Sequence, residues 1–181
     1  MRTRLKDMSK PEFLPCIRGR ASLKTFQDLV IYSDIIAMEH PLAIVEFGSA
    51  TGASAIYLAE TSKLISISAS VVSYDIIDVE PYEGITFIKQ DLSDQQVFDW
   101  EEGKKLVIED SHVPGLLLEI DKYLSKGDIL VVEDLDLVEG KRQLFNDFII
   151  QSKNEYEDAT EYLEIFGEHR DSTCDAILRV L

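Results

Sequence analysis

The sequence predicts an α/β fold, a doubly wound and mostly parallel sheet with helices on both faces. Three observations predict it. Short apolar runs of strand length alternate with amphipathic stretches of helix length over most of the chain. The run at 42–47, LAIVEF, passes straight into GSATGASA and then a helical stretch. The runs at 106–108 and 129–132 each end in acid, with one amphipathic segment between them, which is the pattern of a β-α-β unit.

Length and composition bound the rest. The 181 residues are expected to form one domain, 1–181, with a core of its own. There are 34 acidic and 18 basic residues, a net charge of −16. That argues against a nucleic-acid or anionic-membrane surface, both of which need positive stripes. It suits a small-molecule partner. Cys16 and Cys174 are the only cysteines. They allow neither a disulfide framework nor a Cys-rich zinc motif, so a reducing, cytoplasmic location is expected. The basic start is not followed by an apolar signal core. No apolar run approaches the roughly 20 residues that span a bilayer.

Residues 1–21 contain Pro11, Pro15 and Gly19 and carry Arg2, Arg4, Lys6, Arg18 and Arg20. They read as an irregular segment, either a solvated tail or a flap over a ligand. From 22 to 38 the spacing turns helical. Ser22 or Thr25 is the candidate cap, and Phe26, Leu29, Val30, Ser33 and Ile36 fall near one face. That apolar helix is the expected surface for any self-association. Pro41 stops it. Strands follow at 42–47, within 66–74, and at 85–88. The β-α-β unit supplies the fourth and fifth, and its helix starts near Pro114. Leu144, Phe145, Phe148 and Ile149 mark another helix. A sixth strand is expected at 162–166 and a last one at 176–181. The short link between these two requires antiparallel pairing.

Four features bear chemistry. Gly48 and Gly52 bracket a turn directly after a strand and before a helix, where glycine lets the backbone turn and a ligand lie close. The turn meets neither the dinucleotide fingerprint nor the Walker loop. It therefore suits a nucleoside with an amino-acid tail better than a nucleotide. Asp75 ends the next strand, where a carboxylate can hold a ribose diol; Asp78 is its substitute. Asp91, after the third strand, is a candidate wall of the base pocket. The acids Glu109, Asp110, Glu133, Asp134 and Asp136 cluster at two strand ends, about 5 Å apart if the strands are neighbours. Carboxylates that close repel, and a hard divalent cation such as magnesium relieves them. His112 stands two residues past Asp110, where a histidine can take a proton from a hydroxyl. His40 and His169 carry weaker signals, His169 through its place in the turn after the sixth strand.

These stretches resemble class I S-adenosylmethionine-dependent methyltransferases. VEFGSATGASA is similar to that family's first motif, and Asp75 to its second. KTFQDLVIYSDII, IVEFGSATGASAIYLA, VIEDSH and EIDKYLSKGDILVVED, in that order, resemble the cephalosporin hydroxylase and rhamnosyl O-methyltransferase group. The resemblance implies a Rossmann-like seven-stranded sheet of order 3-2-1-4-5-7-6 with the last strand antiparallel. It implies S-adenosylmethionine contacts at Glu46, Gly48, Ser49, Gly52, Ser54, Asp75 and Asp91. It implies magnesium at Asp110, Glu133 and Asp134, with His112 as base, although the DSH spacing is one residue shorter than the group's usual one. The implied activity is Mg-dependent O-methylation of a hydroxylated small molecule such as a sugar, polyol or natural product. The alternatives are a non-catalytic or regulatory protein binding the same cofactor, and a nicotinamide-dependent oxidoreductase, which the missing fingerprint disfavours. An iron oxygenase would need a second nearby histidine, and the sequence has none in place.

Overall fold

A computed structural model describes residues 15–94, 97–169 and 172–181 of the chain. A seven-stranded sheet is built from β3 (Ala43–Phe47), β4 (Ser70–Asp75), β5 (Ile85–Lys89), β6 (Lys105–Glu109), β7 (Ile129–Glu133), β8 (Tyr156–Asp158) and β9 (Cys174–Val180). Its order is β5-β4-β3-β6-β7-β9-β8. Counted along the chain this is 3-2-1-4-5-7-6, as expected. β3 to β7 are mutually parallel, and β9 runs antiparallel to both neighbours. β3, β6 and β7 are buried at every position, so they read as unbroken apolar runs rather than alternating ones.

Helices α1 (Phe26–Glu39) and α2 (Ala53–Leu64) share one core, with Ile31, Tyr32, Ile35, Ala55 and Leu58 against Ile44, Ile108 and Val131 of the sheet. Helices α3 (Leu116–Asp121) and α4 (Lys141–Gln151) cover the other face, with Leu117, Ile120 and Phe148 against Val45, Val107 and Leu130. A stacked and edge-on aromatic cluster of Phe47, Tyr74, Phe98, Trp100 and Tyr123 completes that second core.

Three expectations are corrected. Residues 16–21 are not irregular: β1 (Cys16–Ile17) and β2 (Arg20–Ala21) form an antiparallel hairpin. The rest of the proposed flap, 1–14, lies outside the described residues. The sixth strand is Tyr156–Asp158, while 162–166 falls in 3-10 turns. The apolar spacing of YLEIF imitates a strand, but Ile165 is exposed and the backbone hydrogen bonds of β9 go to 156–158. The buried face of α1 is also rotated from the expected one. Leu29, Ile31, Tyr32, Ile35 and Ile36 are buried, and Phe26 and Val30 face solvent.

The end of α1 is anchored to β9 and to the residue before β6. Glu39 accepts from Arg179 Nη2 at 2.8 Å and also from Lys104 and Tyr162. Burial alone would raise the Glu39 pKa, but these three donors win and hold it at about 2, below its ordinary 4.5. A depressed carboxylate stabilises the fold above pH 4.5, and that contribution disappears as pH falls through about 2. Glu39→Gln is therefore expected to cost about 2 kcal/mol at pH 7, allowing for partial solvent screening. Its acid-unfolding profile should be flatter than wild type between these two pH values; identical profiles would rule the anchor out.

Candidate active site

In an open α/β sheet the ligand crevice forms at the carboxyl edge, where strand order reverses. Here the reversal lies between β3 and β6, which pair from Ala43↔Lys105 to Phe47↔Glu109. β7 pairs with β6 beyond them. The residues that follow these strands are Gly48, Asp110 and Asp134, so three separate sequence stretches converge. A cavity of about 320 Å³ opens there, bounded by Gly48, Ala50, Asp75, Asp91, Asp110, His112, Glu133 and Asp134, with Lys24 and Thr173 at its back.

The glycine turn lines the cavity through Gly48 and Ala50. Gly48 has φ +105°, and a Cβ on it would lie 2.8 Å from the Asp110 carbonyl oxygen. Glycine thus lets the turn touch the backbone that carries the acids. Asp75 reinforces the turn: its Oδ2 accepts from Ala50 N–H at 2.7 Å and its Oδ1 from Ile77 N–H at 3.1 Å. A carboxylate has about four acceptor positions, so both oxygens keep capacity for a diol.

The other expected cofactor residues play different parts. Glu46 is wholly buried within β3, and Ser73 Oγ donates to it at 2.5 Å. Ser49 is hydrogen-bonded to Ser73, and Ser54 lies against the same carboxylate. Burial pushes the Glu46 pKa up. A Cβ on Gly52 would meet Val79, Arg20 and Phe87, so this glycine accommodates the hairpin's arginine. Glu46, Ser49, Gly52 and Ser54 are absent from the cavity wall, whereas Gly48, Asp75 and Asp91 form part of it. Asp91 accepts from Ser93 N–H and Oγ, which holds its carboxyl below the usual range. Asp78 is outside the cavity and faces Lys89 at 3.8 Å.

The acids divide into two groups. Asp110, His112 and Asp134 each offer one donor atom within 4.8 Å of the others. Asp110 Oδ1 and Asp134 Oδ1 are buried and have no hydrogen-bond partner among the described residues. Burial, and then the neighbouring Asp110, raise the Asp134 pKa. Glu133 is placed differently. Its Oε2 accepts from Lys24 Nζ at 2.5 Å and Thr173 Oγ1 at 3.3 Å, and Lys24 also donates to Asp110 Oδ2. Burial disfavours the Lys24 charge, but Glu133 and Asp110 outweigh it and raise its pKa. Of the other acids, Glu109 is buried against Lys141, and Asp136 is an exposed partner of Arg142.

His112 takes a left-handed backbone, φ +59°, as does Asp134 at +56°. Its N–H donates to Glu109 Oε1 at 3.0 Å. Its Nε2 lies 3.6 Å from both Asp110 Oδ1 and Asp134 Oδ2, and its Nδ1 is 2.9 Å from Lys141 Nζ. Lys141 is buried against Glu109 at 2.9 Å, and an ammonium can only donate. In the neutral ring, Nδ1 therefore accepts and the proton sits on Nε2, facing the acids. His40 caps α1 in a left-handed conformation, away from the site. His169 ends a 3-10 turn, and its side chain lies outside the described residues.

Lys24 and Lys141 are the residues that sequence reading missed. Lys24 opens the KTFQDLVIYSDII stretch, but nothing in that stretch assigned it a role, and Lys141 belongs to no motif. Each counts only because strands far along the chain bring acids to it.

The family model described as Rhamnosyl O-methyltransferase/CmcI matches residues 16–176. No curated protein sequence matches the chain. Among solved structures, a CmcI structure with Mg and SAM superposes with a TM-score of 0.74 at 21% identity, covering 92% of this chain and 76% of that one. A CmcI structure with SAH gives 0.75 at 20% identity, covering 92% and 82%. A putative methyltransferase from Bacillus halodurans gives 0.51 at 15% identity, covering 72% and 70%.

Proposed function

This chain belongs to the Rhamnosyl O-methyltransferase/CmcI family, and from that premise we propose that it methylates a hydroxyl of a small molecule with S-adenosylmethionine, using magnesium. One observation carries the reading. Asp110 and Asp134 line the cavity together with Gly48 and Asp75, and each has a buried carboxylate oxygen, Oδ1, with no hydrogen-bond partner among the described residues. An anionic pair left without donors fits a hard cation. The CmcI structures with Mg and SAM, or with SAH, share the fold.

When bound, S-adenosylmethionine supplies the electrophilic methyl carbon and the cation lowers the pKa of a hydroxyl, which for bound water falls to about 7. The rest is this chain's work. Gly48 and Ala50 would give backbone for the cofactor to lie against, and Asp75 would accept from its ribose. Asp110 and Asp134 would hold the cation, each offering a carboxylate oxygen beside His112. His112 is the proton acceptor, and acceptance at Nε2 requires the tautomer with hydrogen on Nδ1. With Lys141 donating to Nδ1 the ring carries its proton on Nε2 instead, so His112 would act as base only with Lys141 off the ring. Among the described residues no helix is long and apolar enough to cross a membrane.

The test is binding and turnover together. S-adenosylmethionine should bind by calorimetry, and methyl transfer to a panel of sugars, polyols and phenols should stop with chelator and return with Mg2+. Asp75→Ala should weaken cofactor binding at least about tenfold, the loss of a hydrogen-bonded charge. An unchanged dissociation constant would remove Asp75 from the site. Binding with no turnover on any acceptor would favour the non-catalytic alternative.

A further inference from the structure

We propose that Lys24 is a tethered cation that withholds Glu133 from the divalent-ion site, so that the ion is held through two carboxylates instead of three and only weakly. The inference rests on the cation reading above and extends it to a residue outside the strand ends.

Lys24 is 3% exposed and Glu133 1%. The lysine ammonium bridges Glu133 Oε2, at 2.5 Å, and Asp110 Oδ2, so it sits between the ends of β6 and β7. It occupies carboxylate oxygens that a divalent ion shared by these strands would otherwise use. The remaining contacts of Glu133 are also with protein: Thr173 Oγ1 at 3.3 Å to Oε2, and Cys174 Sγ at 4.0 Å to Oε1. The carboxylates left for an ion are Asp110 and Asp134, beside His112, and their Oδ1 atoms are buried without a hydrogen-bond partner among the described residues.

The lysine is held in place from both sides. Its backbone N–H donates to Ser22 Oγ at 3.2 Å. The next residue, Thr25, caps α1 in a reciprocal box with Asp28. Asp28 in turn accepts from Thr173 N–H at 2.8 Å and Ser172 Oγ at 2.7 Å, next to Glu133. A fixed positive charge this close has two effects on an incoming ion. It consumes ligands, and it repels a second cation in a poorly solvated site. Both reduce affinity.

The experiment measures Mn2+ binding, from the free-ion paramagnetic resonance signal, for wild type, Lys24→Met and Lys24→Met/Glu133→Gln. Lys24→Met should bind at least about tenfold more tightly, a gain of about 1.4 kcal/mol, because Glu133 and Asp110 Oδ2 become ligands. The double variant, with both charges removed, should lose most of that gain. Lys24→Met leaves buried acids unpaired, so it should be less heat-stable than wild type without Mn2+ and be restored by it. Equal or weaker binding by Lys24→Met overturns the inference while wild-type binding leaves the cation reading intact. Failure of Lys24→Met to fold even in Mn2+ also overturns it. If neither wild type nor Lys24→Met binds Mn2+, both readings fall.

Discussion

Asp134→Asn is expected to lower methyl transfer about 10²–10³-fold, the usual effect of removing one preorganised electrostatic contact to the reacting centre. Asn is the informative replacement. Asp134 stands at φ +56°, a conformation that Asn tolerates better than Ala does. The change therefore tests the charge and spares the backbone. S-adenosylmethionine affinity should be nearly unchanged, since Gly48 and Asp75 are untouched. Heat stability should be equal or slightly higher, because burial and the adjacent Asp110 already disfavour this carboxylate's charge. Mn2+ affinity should fall with turnover. A variant with full activity in the presence of Mg2+ would exclude Asp134 from the chemistry.

Gly48→Ala should have the largest effect on the fold. The new methyl would lie 2.8 Å from Asp110 O and 2.9 Å from Asp110 C, against backbone that cannot swing aside, at φ +105°. Strain and overpacking together should cost about 3–4 kcal/mol. For a chain of this size that lowers the melting temperature by about 10 °C. Any folded protein should also lose cofactor and ion binding together, because the same shift displaces the glycine turn and Asp110. Wild-type stability would mean that the turn and the β6 end do not touch.

The sheet order and the meeting of Gly48, Asp75, Asp110 and Asp134 were legible because each follows an apolar run directly. A strand end in a parallel sheet has a fixed destination, so a residue just past it does too. What was not legible depends on distant partners. Nothing local to Lys24 shows that two acids more than eighty residues away will enclose it. Glu133 and Asp134 are adjacent and chemically alike, but Glu133 ends β7 against Lys24 while Asp134 lies just past the strand at φ +56° with one oxygen unpartnered among the described residues. The tautomer of His112 depends on Lys141, which arrives from the start of α4. Tyr156–Asp158 carries two acids and little β signal, and becomes a strand only because β9 offers it an edge.

β9 has a further consequence. It is the last strand in the chain order, yet it lies inside the sheet, between β7 and β8. Thr173, immediately before it, supports both Glu133 and Asp28. During synthesis the first five strands emerge with the β7 edge bare and Glu133 and Asp28 without these partners. The β7 edge and these two acids therefore gain these partners only when residues 173–180 join the sheet.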